Sequence, residues 1–259
     1  MRFFFKRKFS QNFLHDRNII QNIINFINFK FKDKCIEIGP GLAALTEPIC
    51  KLVEKLYVVE IDKTIVEILK KKKFFNKLII FKDDILNFNF DKISKDGDLI
   101  RVFGNIPYNI STPLLMHLIK FYNIIKDIYI MLQKEVADRL SACPGNKNYG
   151  RLSIIMQYYY KIKNVFTISS NSFYPKPKVQ SIFVFLKPYI NKKPYFLKNV
   201  DILSLITKLA FTQRRKCLYN SLSAIVSKDD LLKLNIQPFL RAGDISIQQY
   251  CDLANYLSK

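Results

Sequence analysis

Phe103-Gly104-Asn105-Ile106-Pro107-Tyr108-Asn109 decides the reading of this 259-residue chain. An apolar run, Asp98-Leu99-Ile100-Arg101-Val102, leads into it and reads as a buried strand. Ser111-Thr112-Pro113-Leu114-Leu115 follows and reads as a helix start, with a hydroxyl cap and an early proline. Pro107 fixes its own φ and turns Ile106 away from the helical region. The chain must therefore turn in a set way at the strand's end. It shows the Asn105 amide and main-chain carbonyls in one direction, with the Tyr108 ring beside them. Such a set suits a flat base bearing an exocyclic amine. Taken alone, the same residues also fit an ordinary strand-to-helix turn.

Three earlier strand ends carry polar residues in the same way. Lys34-Cys35-Ile36-Glu37-Ile38-Gly39-Pro40-Gly41-Leu42-Ala43-Ala44-Leu45-Thr46 reads as a strand, a glycine turn and a helix entry. Glycine there lets the backbone pass close to a ligand. Tyr57-Val58-Val59-Glu60-Ile61-Asp62 is a second buried strand, and Glu60 follows Gly39 by 21 positions. An acid about 20 residues beyond the glycine turn meets a ribose diol in nucleotide-binding α/β folds. A helix over about 63–73 leads to Leu78-Ile79-Ile80-Phe81, which ends in Asp83-Asp84. Ligands of open α/β sheets bind at the strands' carboxyl ends. A glycine turn alone is a weak sign; four successive polar strand ends are a strong one.

Upstream, Lys6-Arg7-Lys8-Phe9-Ser10-Gln11-Asn12-Phe13-Leu14 interleaves basic and aromatic residues, as segments that meet phosphate and base do. The competing reading is a frayed terminus. Asp16 can cap a helix whose Ile19, Ile20, Ile23, Ile24 and Ile27 share one face. Downstream, a fifth strand is expected over 126–132, a helix over 133–141, a turn-rich loop at Pro144-Gly145-Asn146-Lys147-Asn148 and a helix through Tyr160. Two β-like segments, 163–168 and 180–186, flank Asn171-Ser172-Phe173-Tyr174-Pro175-Lys176-Pro177-Lys178. Beyond Pro194 the pattern is helical only, with Phe211-Thr212-Gln213-Arg214-Arg215-Lys216 leading into the second of four helices. The expected division is 1–189 for an α/β domain and 190–259 for a small helical one.

The net charge of +21 calls for a polyanionic partner, nucleic acid before an anionic membrane. Lysines number 33 against nine arginines, and Asn, Ile and Phe abound, which AT-rich coding bias also produces. The five cysteines are scattered with no C-x-x-C spacing, and only His15 and His117 supply imidazoles. That argues for free thiols in a reducing cytoplasm and against a metal site or a His-based triad. No run of 18 apolar residues appears, so neither a membrane span nor a membrane partner is expected.

Together these residues resemble the rRNA adenine N6,N6-dimethyltransferase family, its bacterial small-subunit branch most of all. The resemblance runs from Phe9 to Leu257 and is most specific at Glu37–Leu42, Asn105–Asn109, Phe173–Val179 and Phe211–Lys216. It implies a seven-stranded Rossmann-like methyltransferase sheet whose last strand is antiparallel, a helical C-terminal domain, and S-adenosylmethionine as methyl donor. By motif match, Asn12, Leu14, Gly39, Glu60, Asp84 and Asn105 contact the donor. Ser10 and Ala43 stand where the family usually, or often, has glycine. The resemblance also implies the target: two adjacent adenosines in the 3′-terminal hairpin loop of small-subunit rRNA, within a maturing ribosomal particle. A monomeric cytoplasmic enzyme is expected.

In the mechanism these residues suggest, Asn105 and the Ile106 carbonyl accept the two N6 hydrogens of a flipped-out adenine, and Tyr108 and Phe173 stack on its ring. No metal is required. A non-catalytic nucleic-acid-binding factor on the same scaffold would be marked by decay of Asn105-Ile106-Pro107-Tyr108 or Glu60, and both are intact. A dinucleotide-dependent oxidoreductase would use Gly39, Gly41 and Glu60 but gives Asn-x-Pro-Tyr no role. A large-subunit adenine methylase is the rival within the same class, and the helical tail with Gln213-Arg214-Arg215-Lys216 fits the small-subunit enzyme better.

Overall fold

The computed structural model describes residues 11–94 and 97–258; the basic segment Lys6-Arg7-Lys8, with Phe9 and Ser10, lies outside them. The strands in chain order are β1 (Phe13–Leu14), β2 (Lys34–Ile38), β3 (Leu56–Val59), β4 (Leu78–Phe81), β5 (Ile100–Asn105), β6 (Ile125–Gln133), β7 (Tyr160–Ile168), β8 (Phe173–Tyr174) and β9 (Ser181–Pro188). The α-helices are α1 (Arg17–Ile27), α2 (Thr46–Ile49), α3 (Lys63–Lys70), α4 (Ser111–Ile119), α5 (Lys134–Ser141), α6 (Arg151–Tyr159), α7 (Val200–Thr212), α8 (Leu218–Leu222), α9 (Lys228–Lys233) and α10 (Ile247–Leu257).

Seven strands form one sheet in the order β4-β3-β2-β5-β6-β9-β7. β2 is parallel to β3 and β5, β3 to β4 and β5 to β6, while β9 runs antiparallel to β6. This is the expected mixed sheet with its last strand reversed. The parallel strands read as near-continuous apolar runs because both sheet faces are covered. Ile36 and Ile38 of β2, Val58 of β3, and Val102 and Phe103 of β5 are all buried. Each such side chain contributes about 1.5–3 kcal/mol by leaving water.

The chain starts in the middle of the sheet at β2, runs outward through β3 to β4, then returns to the other side of β2 as β5. The order reverses between β2 and β5, and a crevice opens at the carboxyl ends there. Gly39 follows one of these two strands and Asn105 ends the other. The two strands approach so closely that a Cβ on Gly104 would collide with the Ile38 carbonyl oxygen.

α1 begins as its sequence foretells. Asp16 accepts hydrogen bonds from the Asn18 and Ile19 N–H groups, and Ile23, Ile24 and Ile27 are buried. The helix closes on Asn28 at φ +54°, a left-handed position asparagine tolerates.

The chain divides into two compact units, but not as 1–189 and 190–259. The first holds residues up to Ala137 and Lys161–Pro188; the second holds Asp138–Tyr160 and the chain from Tyr189 onward. Residues 138–160 thus join the C-terminal helices. The cause is bonding the sequence pattern does not show: the Tyr149 hydroxyl donates to the Ile245 carbonyl (3.0 Å), Gly145 N–H to the Gly243 carbonyl (2.8 Å), and Arg151 to the Ser204 hydroxyl (3.0 Å). Arg214, Arg215 and Lys216 sit in the turn between α7 and α8 rather than on a helix, and all three are exposed. Among the described residues no helix is long and apolar enough to cross a membrane.

Candidate active site

The glycine turn follows β2. Gly39 N–H continues the ladder to the Val59 carbonyl (3.0 Å), and Gly39 and Gly41 take φ of +64° and +54°. A side chain at Gly39 would meet nothing within 4 Å, so its backbone faces open space. Gly41 differs from expectation. A Cβ there would lie 2.7 Å from the Phe13 ring, so what crowds it is the N-terminal segment and not a ligand. Ala43 also holds a left-handed φ, +75°, which costs an L-residue about 1–2 kcal/mol. That is the physical reason a glycine suits this position.

Three carboxylates gather at the neighbouring strand ends. Glu60, just past β3, donates its N–H to the Phe81 carbonyl (3.0 Å), which fixes it at the sheet edge. Its side chain is 6 % exposed and Oε1 accepts the Asp62 N–H at 2.7 Å. Burial pushes this carboxyl up to about 7, and the Asp62 N–H offsets part of that rise. Asp62 in turn caps α3 by accepting the Thr64 N–H at 2.9 Å. Asp84 accepts the Leu86 N–H at 3.0 Å, which pins the turn after β4. Glu37, on β2 beneath the glycine turn, was not among the expected site residues. It is buried, its Oε2 has no hydrogen-bond partner, and burial pushes its carboxyl up to about 8.

Asn105 ends β5, and its Nδ2 donates to the Asn12 main-chain carbonyl at 2.6 Å. A carbonyl can only accept, so this bond fixes which amide atom faces Asn12. Oδ1 must point the other way. Tyr108 is half-buried, and its hydroxyl is 2.7 Å from the Ser181 hydroxyl at the start of β9. Burial pushes the phenol up, so it stays neutral. Gln11 donates to Asp62 at 3.4 Å while its Oε1 is buried without a partner.

The N-terminal segment reaches this site through a pairing that local sequence does not announce. β1 and β8 form a two-stranded antiparallel ribbon, Phe13 opposite Tyr174 and Leu14 opposite Phe173. The His15 N–H donates to the Ser172 carbonyl (3.0 Å), and the Ser172 hydroxyl donates to Asp16 (2.9 Å). Strand alternation gives the ribbon two faces. Leu14 and Phe173 point inward and are buried in one core cluster with Phe183. The structure therefore does not bring Phe173 together with the other expected residues: it is 2 % exposed and does not line the cavity. Its neighbour Tyr174 faces out, 62 % exposed.

The other expected residues converge. Asn12, Leu14, Gly39, Glu60, Asp84, Asn105 and Tyr108 all line one cavity of about 260 Å³, joined by Gln11 and Glu37. The donor set suits a cationic nucleoside. Glu60 can take a diol and Asp84 an exocyclic amine. Gly39 leaves room for close approach, and the partnerless oxygens of Gln11 and Glu37 can meet an ammonium group. On the loop after β8, Lys176 and Lys178 are exposed.

Comparison with known proteins follows the same direction. Residues 2–259 match the sequence model of the family described as Ribosomal RNA adenine dimethylase. The chain is 53% identical over 254 residues to the Ribosomal RNA small subunit methyltransferase A of Buchnera aphidicola subsp. Acyrthosiphon pisum, covering 98% of this chain and 93% of that one. It is 45% identical over 256 residues to the protein of that name from Salmonella typhimurium, again covering 98% and 93%. Among solved structures, a dimethyladenosine transferase from Plasmodium falciparum superposes with a TM-score of 0.80 at 28% identity, covering 93% of this chain and 95% of that one. The 23S rRNA methyltransferase ErmE shares the fold, with a TM-score of 0.71 at 19% identity, covering 96% and 100%.

Proposed function

The chain belongs to the ribosomal RNA adenine dimethylase family, and on that premise we propose that it carries methyl groups from S-adenosylmethionine to N6 of two adjacent adenosines in the 3′-terminal hairpin loop of small-subunit rRNA. Each is methylated twice, by a monomer acting in the cytoplasm on a maturing ribosomal particle. The observation that carries this reading is that Asn105 and Tyr108 share one cavity with Gly39, Glu60 and Asp84. A base-recognising turn and a nucleoside-binding set thus face the same space. The small-subunit names of the relatives at 45–53% identity favour that subunit over the large one.

The residues divide the work. Glu60 accepts the donor's ribose hydroxyls, Asp84 accepts its adenine amine, and the main chain at Asn12, Leu14 and Gly39 closes around it. When bound, S-adenosylmethionine supplies a methyl group made electrophilic by its sulfonium. N6 of adenine is a poor nucleophile because its lone pair is delocalised into the ring. In the first transfer Asn105 Oδ1 and the Ile106 carbonyl accept its two hydrogens, which favours a pyramidal nitrogen with its lone pair aimed into the cavity. One N6 proton is released to water with each methyl gained, so the second transfer uses one of the two acceptors. The Tyr108 ring holds the base by stacking, with its hydroxyl anchored on Ser181. Positioning and oriented dipoles of this kind supply the rate.

The test mixes the protein with methyl-labelled donor and unmethylated small subunits, then maps the label. Dimethyladenosine at the two adjacent loop positions is expected. Absence of transfer, or label confined to other nucleotides, would overturn the reading.

A further inference from the structure

A second recess adjoins the catalytic cavity, lined by Phe13, Leu14, His15, Leu42, Ala44 and Tyr174. Four of these residues, Phe13, Leu14, Leu42 and Ala44, also line the first cavity, so the two share a wall. The recess lies on the outward face of the β1–β8 ribbon, where Phe13 and Tyr174 stand opposite one another. Two large apolar groups are open to solvent there, Tyr174 at 62 % and Leu42 at 39 % exposure. Solvated lysines follow at once on the same loop, at positions 176 and 178.

An exposed aromatic face beside flexible cations is the set that holds a nucleobase and its phosphates. Two adjacent adenosines cannot both occupy the cavity at Asn105, so one base must find another seat while its neighbour reacts. We propose that this recess takes the base of the second adenosine, stacked on Tyr174 with Leu42 against its edge, while Lys176 and Lys178 face the flanking phosphates. The proposal rests on the two-adenosine reading above and deepens it. It makes Tyr174 a positioning residue, and it gives the loop after β8 the aromatic surface that buried Phe173 does not provide.

The test uses an RNA hairpin carrying the two-adenosine loop and a second hairpin in which one of the two adenosines is abasic. The remaining adenine can still fill the catalytic cavity, so any lost affinity reports the second seat. Wild-type protein is expected to bind the abasic hairpin at least about fivefold more weakly. Tyr174→Ala should bind both hairpins equally, at the weaker level, and Tyr174→Phe should behave as wild type. Because Tyr174 is exposed, the melting temperature should not move. Unchanged affinity of Tyr174→Ala for the intact hairpin would overturn the seat, as would a Tyr174→Ala protein that still discriminates against the abasic one. The two failures are distinct. Wild-type protein that transfers no methyl to unmethylated small subunits overturns the proposed reaction. Normal transfer together with either hairpin result just named overturns the second seat alone.

Discussion

The amide nitrogen of Asn105 donates to the main-chain carbonyl of Asn12 at 2.6 Å, across 93 positions of sequence. The bond joins the end of β5 to the residue before β1, which the Phe13–Tyr174 and Leu14–Phe173 pairs hold in place. A side-chain orientation at the turn after β5 is thus set by main chain from the far end of the unit. The bond also assigns the atoms: the nitrogen is spent on Asn12, which leaves the oxygen as the amide's acceptor on a residue that lines the cavity.

Glu60 should make donor binding pH-dependent. Its carboxyl is raised to about 7 in the donor-free protein, so folding favours the protonated form. Donor-free stability should therefore fall as pH rises from about 4.5 through about 7, and Glu37 extends that fall to about 8. Donor binding runs the opposite way, because a carboxylate accepts two ribose hydroxyls better than an acid does. Calorimetry should show donor affinity rising with pH through about 7, with Glu37 extending the rise to about 8. Glu60→Gln should remove the part of the rise centred near 7 and, at pH 8, bind the donor at least about tenfold more weakly. A flat wild-type profile with undiminished Glu60→Gln binding would exclude the assignment.

Tyr108 separates ring from hydroxyl. Tyr108→Phe leaves Ser181 buried without its 2.7 Å partner, a loss of about 1–3 kcal/mol in stability, while the stacking face survives. Most methyl transfer should remain at temperatures where the fold holds. Tyr108→Ala should lose about 1–3 kcal/mol of base positioning, with further rate loss from misaimed N6. Melting temperature, donor affinity and transfer to unmethylated small subunits distinguish the cases. Full transfer by a folded Tyr108→Ala protein would end the stacking role.

Arg101 should matter to stability and not to chemistry. Its guanidinium is buried and donates to Asp127 (2.9 Å), Asp33 (2.8 Å), the Tyr129 hydroxyl (2.8 Å) and the Ile27 carbonyl (2.9 Å). Arg101→Met removes the cation and leaves the Asp127 charge buried, at a cost of about 3–5 kcal/mol. Asn105 lies four residues further along the same strand, about 13 Å away, so donor affinity in the cold should hold. Urea titration and calorimetry on one preparation check both halves.

RNA binding should be electrostatic and divided among separate basic groups. Neutralising Lys176 and Lys178, or Arg215 and Lys216, should weaken rRNA binding and flatten its log–log salt slope by about one unit for each phosphate no longer neutralised. The terminal Lys6, Arg7 and Lys8 should act likewise. Arg214 differs, because it also donates to the Lys147 carbonyl at 2.6 Å and so helps hold the turn before α8. Unchanged slopes throughout would mean that the +21 charge reflects coding bias.

The lining of the cavity was legible in sequence where it comes from strand ends. Gly39, Glu60, Asp84 and Asn105 each follow or end an apolar run, so period and polarity change together at the residues that line the cavity. The β1–β8 ribbon was not legible, since two-residue strands show no period. For the same reason sequence could not tell which of Phe173 and Tyr174 faces inward; only pairing with Leu14 and Phe13 decides it. Glu37 and Arg101 were hidden inside apolar runs, where a single charge reads as an interruption. The role of Arg101 depends on partners such as Asp127, which sequence distance conceals.

The most direct measurement of the mechanism is single-turnover methyl transfer by Asn105→Ala on unmethylated small subunits, with donor affinity measured on the same preparation. The alanine variant lacks the amide oxygen proposed to accept from N6, while Glu60, Asp84 and Gly39 still line the cavity. The expected result is a rate at saturating donor at least about a hundredfold lower, in the range for losing one preorganised polar group, over and above any donor affinity lost with the Asn12 bond. A wild-type rate from Asn105→Ala would contradict the role of the Asn105 oxygen, and the reaction would have to be carried by other groups.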